Sequence, residues 1–260
     1  MSRTENVSFT GVNDVRLAGK IDLPDGEVRA YALVVHGFTL GKDSPAASRI
    51  SKALAGAGIG TLRFDFTGLG DSEGDFSDAT FSTNLANIER AAGFMKSEGK
   101  TLSLIVGHSL GGAAVLAAAK KLDDVDAVVT IAAPYDPAHL EHAFEPVLDE
   151  IFQEGSAEVK IGGKDLNVRK EMLEDLRSHD LTGCIKGLRR PLLVMHSPTD
   201  NTVGIENAGQ IFDAARHPKS FVSLEGSDHL LLGRGDAARA ANIISAWADQ
   251  YLELDAANKP

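Results

Sequence analysis

The sequence predicts an α/β fold: a mostly parallel central sheet of about eight strands, with helices on both faces. Three observations lead there. Short β-rich runs alternate with longer helical patterns through most of the chain, as a sheet covered on both faces requires. Several of these runs are largely apolar, such as "LSLIVG" and "PLLVMHS", which suits strands buried on both sides. The chain's 260 residues with 43% hydrophobic side chains suffice for one sizeable core.

The elements follow in order. "NVSFTG" and "RLAGKIDLP" read as an antiparallel pair at the sheet edge. "YALVVHG" (31–37) is a strand ending in glycine, and 44–58 is a helix with serine near its start and glycine at its end. A strand over 59–66 is followed by the turn-rich "TGLGDSEGDFS" (67–77) and a helix over about 80–98. A strand at 102–107, a helix at 109–121 and a strand at 127–133 continue the rhythm. It resumes with a strand at 191–197, a helix near 204–215, a strand at 219–226 and a final helix near 236–252. The closing "DAANKP" reads as a frayed tail.

Segment 134–188 interrupts the alternation and is expected to form a cap inserted into a single domain spanning 1–260. It reads as a helix after the prolines of "PYDPAHLEHAFEPVLDEIFQEG", a hairpin turning at Gly162-Gly163, and a second helix in "KEMLEDLRSHDL". An insertion at the C-terminal edge of a parallel sheet is placed to cover a binding crevice.

Charge and composition exclude several partners. Twenty-six basic against 37 acidic side chains give a net charge of −11 with no basic stripe, which argues against nucleic acid. No run approaches the length of a membrane span, and "MSRTENVSFTGV" lacks a signal-peptide core. The single cysteine, Cys184, forms no intrachain disulfide, so a cytoplasmic location is expected. Oligomeric state is left open, a homodimer included.

The chemistry centres on Gly107-His108-Ser109-Leu110-Gly111, a G-x-S-x-G between a strand and a helix. In that context serine sits on a sharp turn, side chain thrust out above the sheet, with a helix N-terminus behind it. Capping the helix is the competing role for Ser109. A serine nucleophile needs a base and a group to orient that base, in the chain order acid then histidine. Asp200 and His229 follow, each just past a predicted strand end. Asp228, adjacent to His229, is the weaker candidate for the acid. His36, His108 and His196 are expected to hydrogen-bond loops beside the site. The backbone N–H groups of Phe38 and Leu110 are the expected oxyanion donors. Tyr135, His139, Phe144 and Phe152 of the cap are candidates to shape the substrate pocket.

Three other motifs fail on spacing. "GFTLGKDS" has three residues between its glycines where a phosphate loop has four, "HLEH" is too short for a zinc motif, and "GLGDSEG" matches no nucleotide fingerprint. No metal or organic cofactor is called for.

"HGF", "RFDFTGLGDSEG", "GHSLGG", "HSPTDNTV" and "GSDHLL" together, in this order, resemble the α/β-hydrolase superfamily over nearly the whole chain. Residues 102–254 are similar to the hydrolase half of bacterial proteins that fuse such a domain to an OsmC-like domain, and the cap is similar to that of bacterial feruloyl (cinnamoyl) esterases. The chain departs from the family's habit at Ser197, where glycine is frequent, and at Thr67, where arginine is common. It stops near residue 260, before any OsmC-like domain, so it is expected to be a stand-alone member or a shortened piece of a fusion. The resemblance implies a serine carboxylic-ester hydrolase acting on small, short-chain or compact aromatic esters, with Ser109, Asp200 and His229 as its triad. An amidase or aminopeptidase with the same triad is the alternative, needing an acidic pocket that Glu141, Glu145 or Asp149 would supply. A binding protein that keeps the fold without catalysis is the third.

Overall fold

The computed structural model describes residues 3–161 and 163–252. The expected tail and Gly162 of the hairpin turn lie outside the described residues. Ten strands occur among the described residues: β1 (Arg3–Thr10), β2 (Arg16–Leu23), β3 (Ala30–Val35), β4 (Ile59–Phe64), β5 (Leu102–His108), β6 (Ala127–Ile131), β7 (Ser156–Ile161), β8 (Lys164–Arg169), β9 (Leu192–His196) and β10 (Lys219–Ser223). Eight form one sheet in the order β1-β2-β4-β3-β5-β6-β9-β10. β1 pairs antiparallel with β2 and β2 with β4, whereas every other neighbour is parallel. This is the predicted architecture, the antiparallel edge included.

Strand residues alternate between the two faces. Leu33, Val35, Ile105 and Val194 face one core, where α2 (Phe81–Ser97), α3 (Leu110–Ala118) and α7 (Glu206–Ala214) pack. Ala32, Val34, Val106 and Met195 face the other, against α1 (Pro45–Gly56) and α8 (Asp236–Leu252). A period of two with both faces apolar is why these strands read as continuous hydrophobic runs. α3 is built of glycine, alanine and aliphatic residues and is buried everywhere except Ala117, so it lies deep beside the sheet centre. Among the described residues no helix is long and apolar enough to cross a membrane.

The segment between β6 and β9 differs in detail from expectation. Pro137–Val147 is a 3-10 helix, and the α-helix α4 (Leu148–Glu154) starts only beyond Pro146. Proline lacks the N–H that an α-helical turn would use, so the α-helix cannot run through it. β7 and β8 form the expected hairpin, with Ile161 opposite Lys164. The second predicted helix divides into α5 (Lys170–Ser178) and α6 (Leu181–Lys186), because Asp180 accepts from the Gly183 N–H and starts a new helix.

A buried ionic network fixes the loop after β3. Lys42, almost fully enclosed, bonds Asp65 and Asp71, each at 2.5 Å. Arg63, equally enclosed, bonds Asp22 at 2.8 Å and the Lys42 carbonyl at 2.6 Å. The lysine that makes "GFTLGKDS" look like a phosphate loop is thus occupied by carboxylates, and it holds the segment following Phe38 against β4.

Candidate active site

The C-terminal ends of β3, β5, β9 and β10 converge on one edge of the sheet, where open α/β sheets place their sites. Ser109 stands between β5 and α3 with φ 54° and ψ −128°, a conformation that non-glycine residues avoid. Its N–H is tied to the Ile131 carbonyl at 2.9 Å, and strain of this kind costs about 1–3 kcal/mol. The flanking glycines make the turn possible. A Cβ on Gly107 would lie 2.2 Å from the Gly111 oxygen, and one on Gly111 would lie 2.4 Å from the His36 oxygen. Ser109 makes no side-chain cap to α3, so the structure gives no support to the capping role.

Asp200 and His229 meet Ser109 in one line. His229 Nδ1 donates to Asp200 Oδ2 at 2.7 Å, and its Nε2 faces Ser109 Oγ at 3.0 Å. With the proton held on Nδ1, Nε2 is the acceptor for the serine hydroxyl. Asp200 Oδ1 accepts from the N–H groups of Thr202 (2.8 Å) and Val203 (3.0 Å). Burial alone would raise the Asp200 carboxyl, but the bond from His229 and these backbone donors outweigh it and hold the group below the ordinary carboxylate range. Asp228 points elsewhere, accepting from the N–H groups of Leu230 and Leu232. Its carboxylate shapes the loop that carries His229.

The neighbouring histidines hold backbone. His108 Nε2 donates to the His229 carbonyl at 2.7 Å, His196 Nε2 to that of Val203 at 2.8 Å, and His36 Nδ1 to that of Gly37 at 2.8 Å. Burial pushes all three rings towards the neutral form; His108, also facing the His229 ring, is lowered to about 4. Ser197, at the family's glycine position, donates to the Ser227 carbonyl at 2.7 Å and so ties the end of β9 to the His229 loop.

Phe38 and Leu110 face a cavity of about 30 Å³. Neither of their N–H groups is hydrogen-bonded among the described residues. A Cβ on Gly37 would come within 3.0 Å of Ser109 Cβ, so this loop runs directly past the serine. The cavity is lined from the core by Phe66, Phe76 and Phe81, and from the inserted segment by Leu140, Met172 and Leu176.

Tyr135, His139, Phe144 and Phe152 do not line this cavity. The Tyr135 hydroxyl bonds Thr182 at 2.6 Å, and His139 Nε2 meets the Thr202 carbonyl at 3.2 Å. Phe144 is fully buried behind Phe38, ring centroids 5.8 Å apart. Phe152, partly buried against the core, lies beneath the Arg177 guanidinium, 4.8 Å from its ring centroid. Met172 and Leu176 repeat one turn apart on α5 and are buried, a helical stripe that marks the inward face. Among the described residues no three or more His, Cys, Asp or Glu side chains are grouped as a metal site.

An eight-stranded, mostly parallel sheet with a serine on a strained strand-to-helix turn defines the α/β-hydrolase class. Within it, residues 26–186 match the family described as Serine aminopeptidase, S33 (Hydrolase_4), more than half of the chain, and the protein belongs to that family of hydrolases. The match includes Ser109 and ends before Asp200 and His229. Among solved structures, the esterase domain of a Rhodothermus marinus protein is 44% identical, with a TM-score of 0.79, covering 96% of this chain and 99% of that one. Est1E from Butyrivibrio proteoclasticus, solved with ferulic acid bound, is 18% identical with a TM-score of 0.78, covering 95% and 100%, and shares the fold. Human Protein ABHD12B is 25% identical over 191 residues, 70% of this chain but 49% of that protein, so the chain spans about half the length of this curated relative.

Proposed function

We propose that the protein is a serine carboxylic-ester hydrolase that works through an acyl-enzyme on small, short-chain or compact aromatic esters. The observation that carries this reading is His229, bridging Asp200 at 2.7 Å and Ser109 at 3.0 Å on opposite ring nitrogens. His229 takes the proton from Ser109 as Oγ attacks the ester carbonyl. Asp200, already ionised, orients the ring and stabilises its charged form. The N–H groups of Phe38 and Leu110 hold the oxyanion, together with the N-terminal dipole of α3. His229 then protonates the departing alcohol, and water repeats the attack on the acyl-enzyme. The segment 134–188 acts as the cap, its Leu140, Met172 and Leu176 closing a pocket whose size favours compact groups. The esterase domain from Rhodothermus marinus, similar along nearly the whole chain, supports an ester as substrate.

The family's description favours a second reading, an aminopeptidase with the same triad. Binding a free amine calls for a carboxylate in the pocket, and among the described residues none lines the cavity. Glu141 is engaged by Arg177 at 2.6 and 2.7 Å, and Glu145 by His142 at 2.9 Å. Steady-state comparison of p-nitrophenyl acetate and butyrate with amino-acid p-nitroanilides tests the choice. Turnover of the esters with little or none of the anilides is expected, and preference for the anilides would reverse it.

A further inference from the structure

An open groove of about 650 Å³ lies between α1, the start of α8 and the residues just after His229, and no step of the proposed reaction uses it. Arg49 and Lys52 stand three positions apart on α1 and so share one of its faces, and Arg234 approaches from the loop before α8. Arg49 donates to the Leu232 carbonyl at 3.3 Å, which joins α1 to the loop that carries His229. Among the described residues none of the three cations forms a salt bridge, and no carboxylate lines the groove. The acids nearest along the chain are engaged elsewhere. Asp43 is held by Lys20 and Arg63, Asp228 accepts from the Leu230 and Leu232 N–H groups, and Asp236 faces Arg239 at 3.8 Å. Three uncompensated positive charges thus gather in one groove of a chain whose net charge is −11. The same wall is apolar: Leu232, 52% exposed, is the most exposed large hydrophobic side chain among the described residues, with Ala53, Ala237 and Ala238 beside it. A second basic groove, lined by Lys120, Arg189 and Arg190, lacks this combination, because Asp180 shares its lining and Arg190 is bonded to the Ala119 and Leu122 carbonyls. Guanidinium groups present paired donors that match phosphate oxygens, and cations without acid partners attract a multiply charged anion.

We propose that this groove binds a phosphate monoester carrying an apolar chain, its phosphate held by Arg49, Lys52 and Arg234 and its chain against Leu232. The volume is in the range of small-molecule sites. Binding here is separate from the cavity beside Ser109 and requires no reaction there, so it does not depend on the esterase reading. The same chemistry occurs in a dissolved alkyl phosphate and in a lipid with a phosphate headgroup.

Two measurements test this and separate the sources: calorimetric titration with hexyl phosphate and with inorganic phosphate, and co-sedimentation with phosphatidylcholine vesicles with and without phosphatidic acid. Hexyl phosphate is expected to bind about ten-fold or more tighter than inorganic phosphate, since the chain buries several methylene groups. Lys52→Ala and Arg234→Ala should each weaken hexyl phosphate by about five-fold, the scale of one charged hydrogen bond at an exposed site. Leu232→Ser should remove most of the advantage over inorganic phosphate, and Lys52→Glu combined with Arg234→Glu should abolish binding. These side chains are exposed, and urea unfolding verifies that each variant is folded. Binding of hexyl phosphate alone identifies a dissolved ligand, and binding of the phosphatidic acid vesicles identifies a lipid; either one, lost in the double variant, supports the assignment. No binding of either probe, binding undiminished in the double variant, or equal affinity for hexyl and inorganic phosphate without vesicle binding would overturn it.

Discussion

Two groups of serine, histidine and aspartate among the described residues differ in how their hydrogen bonds run. In Ser109–His229–Asp200 the imidazole stands between its partners, one ring nitrogen on each, with Asp200 fully buried and two backbone donors on its second oxygen. In Ser82–His179–Asp175 the serine bonds the carboxylate directly, Oγ at 2.5 Å and N–H at 2.8 Å. There His179 offers the same Nε2 to Ser82 at 3.0 Å and to Asp175 at 3.6 Å. A carboxylate that holds the hydroxyl proton itself leaves the imidazole nothing to abstract. Asp175 from α5 instead supplies a capping acceptor at the N-terminus of α2, joining the inserted segment to the core. Residue types do not make a triad; the order of hydrogen bonds does.

The comparison can be broken by parallel substitution. Ser109→Ala is expected to lower kcat for p-nitrophenyl butyrate by about 10⁴-fold or more, whereas Ser82→Ala should leave kcat within about two-fold. Comparable losses in both variants would erase the distinction. Next in size, Asp200→Asn should cost about 10³- to 10⁴-fold, because the amide no longer enforces the tautomer with the proton on Nδ1. Asp175→Asn should not alter kcat beyond about two-fold. Adding Asp200→Asn to Ser109→Ala should cost almost nothing further, since the groups act as a unit.

Acid sharpens the contrast in stability. His108, packed against the His229 ring, has its pKa lowered from 6.5 to about 4 by burial and by that neighbour. Between those values the unfolded chain takes up a proton that the native state does not, so stability falls as pH drops from about 6.5 towards 4 and levels off below. The contribution is on the order of 3 kcal/mol. Urea unfolding across this range should show the decline, and His108→Gln should flatten part of it; His36 and His196 shift in the same direction and supply the rest. The smallest effect belongs to the clasp. Ser82→Ala should lower the free energy of unfolding by about 1 kcal/mol, measurable by the same titration.

The sheet was legible because parallel strands buried on both faces must be apolar at every position, and their spacing by helices leaves few alternatives. The strained serine was legible for a related reason: Gly107 and Gly111 stand where any Cβ would strike backbone. Asp200 and His229 could be placed because each follows a strand end in a fixed chain order. The inserted segment was harder. Aromatic content nominated Phe144 and Phe152, but a side chain's identity does not say which way it faces. Phe144 turned out to support Phe38 from behind, and Phe152 to carry Arg177. The inward face belongs to Met172 and Leu176, which a helical periodicity over "KEMLEDL" could have marked. The Ser82 clasp gave no signal, because its surroundings arise from contacts far apart in the chain; Ser82 and Asp175 are 93 positions apart.

The central claim, that Ser109 alone among the serines is activated by its histidine, is tested most directly with a fluorophosphonate followed by peptide mass spectrometry. The expected result is one stoichiometric adduct, on Ser109, lost in both Ser109→Ala and His229→Ala and unaffected in Ser82→Ala. An adduct on Ser82, or none on Ser109 in the folded unsubstituted protein, would contradict it.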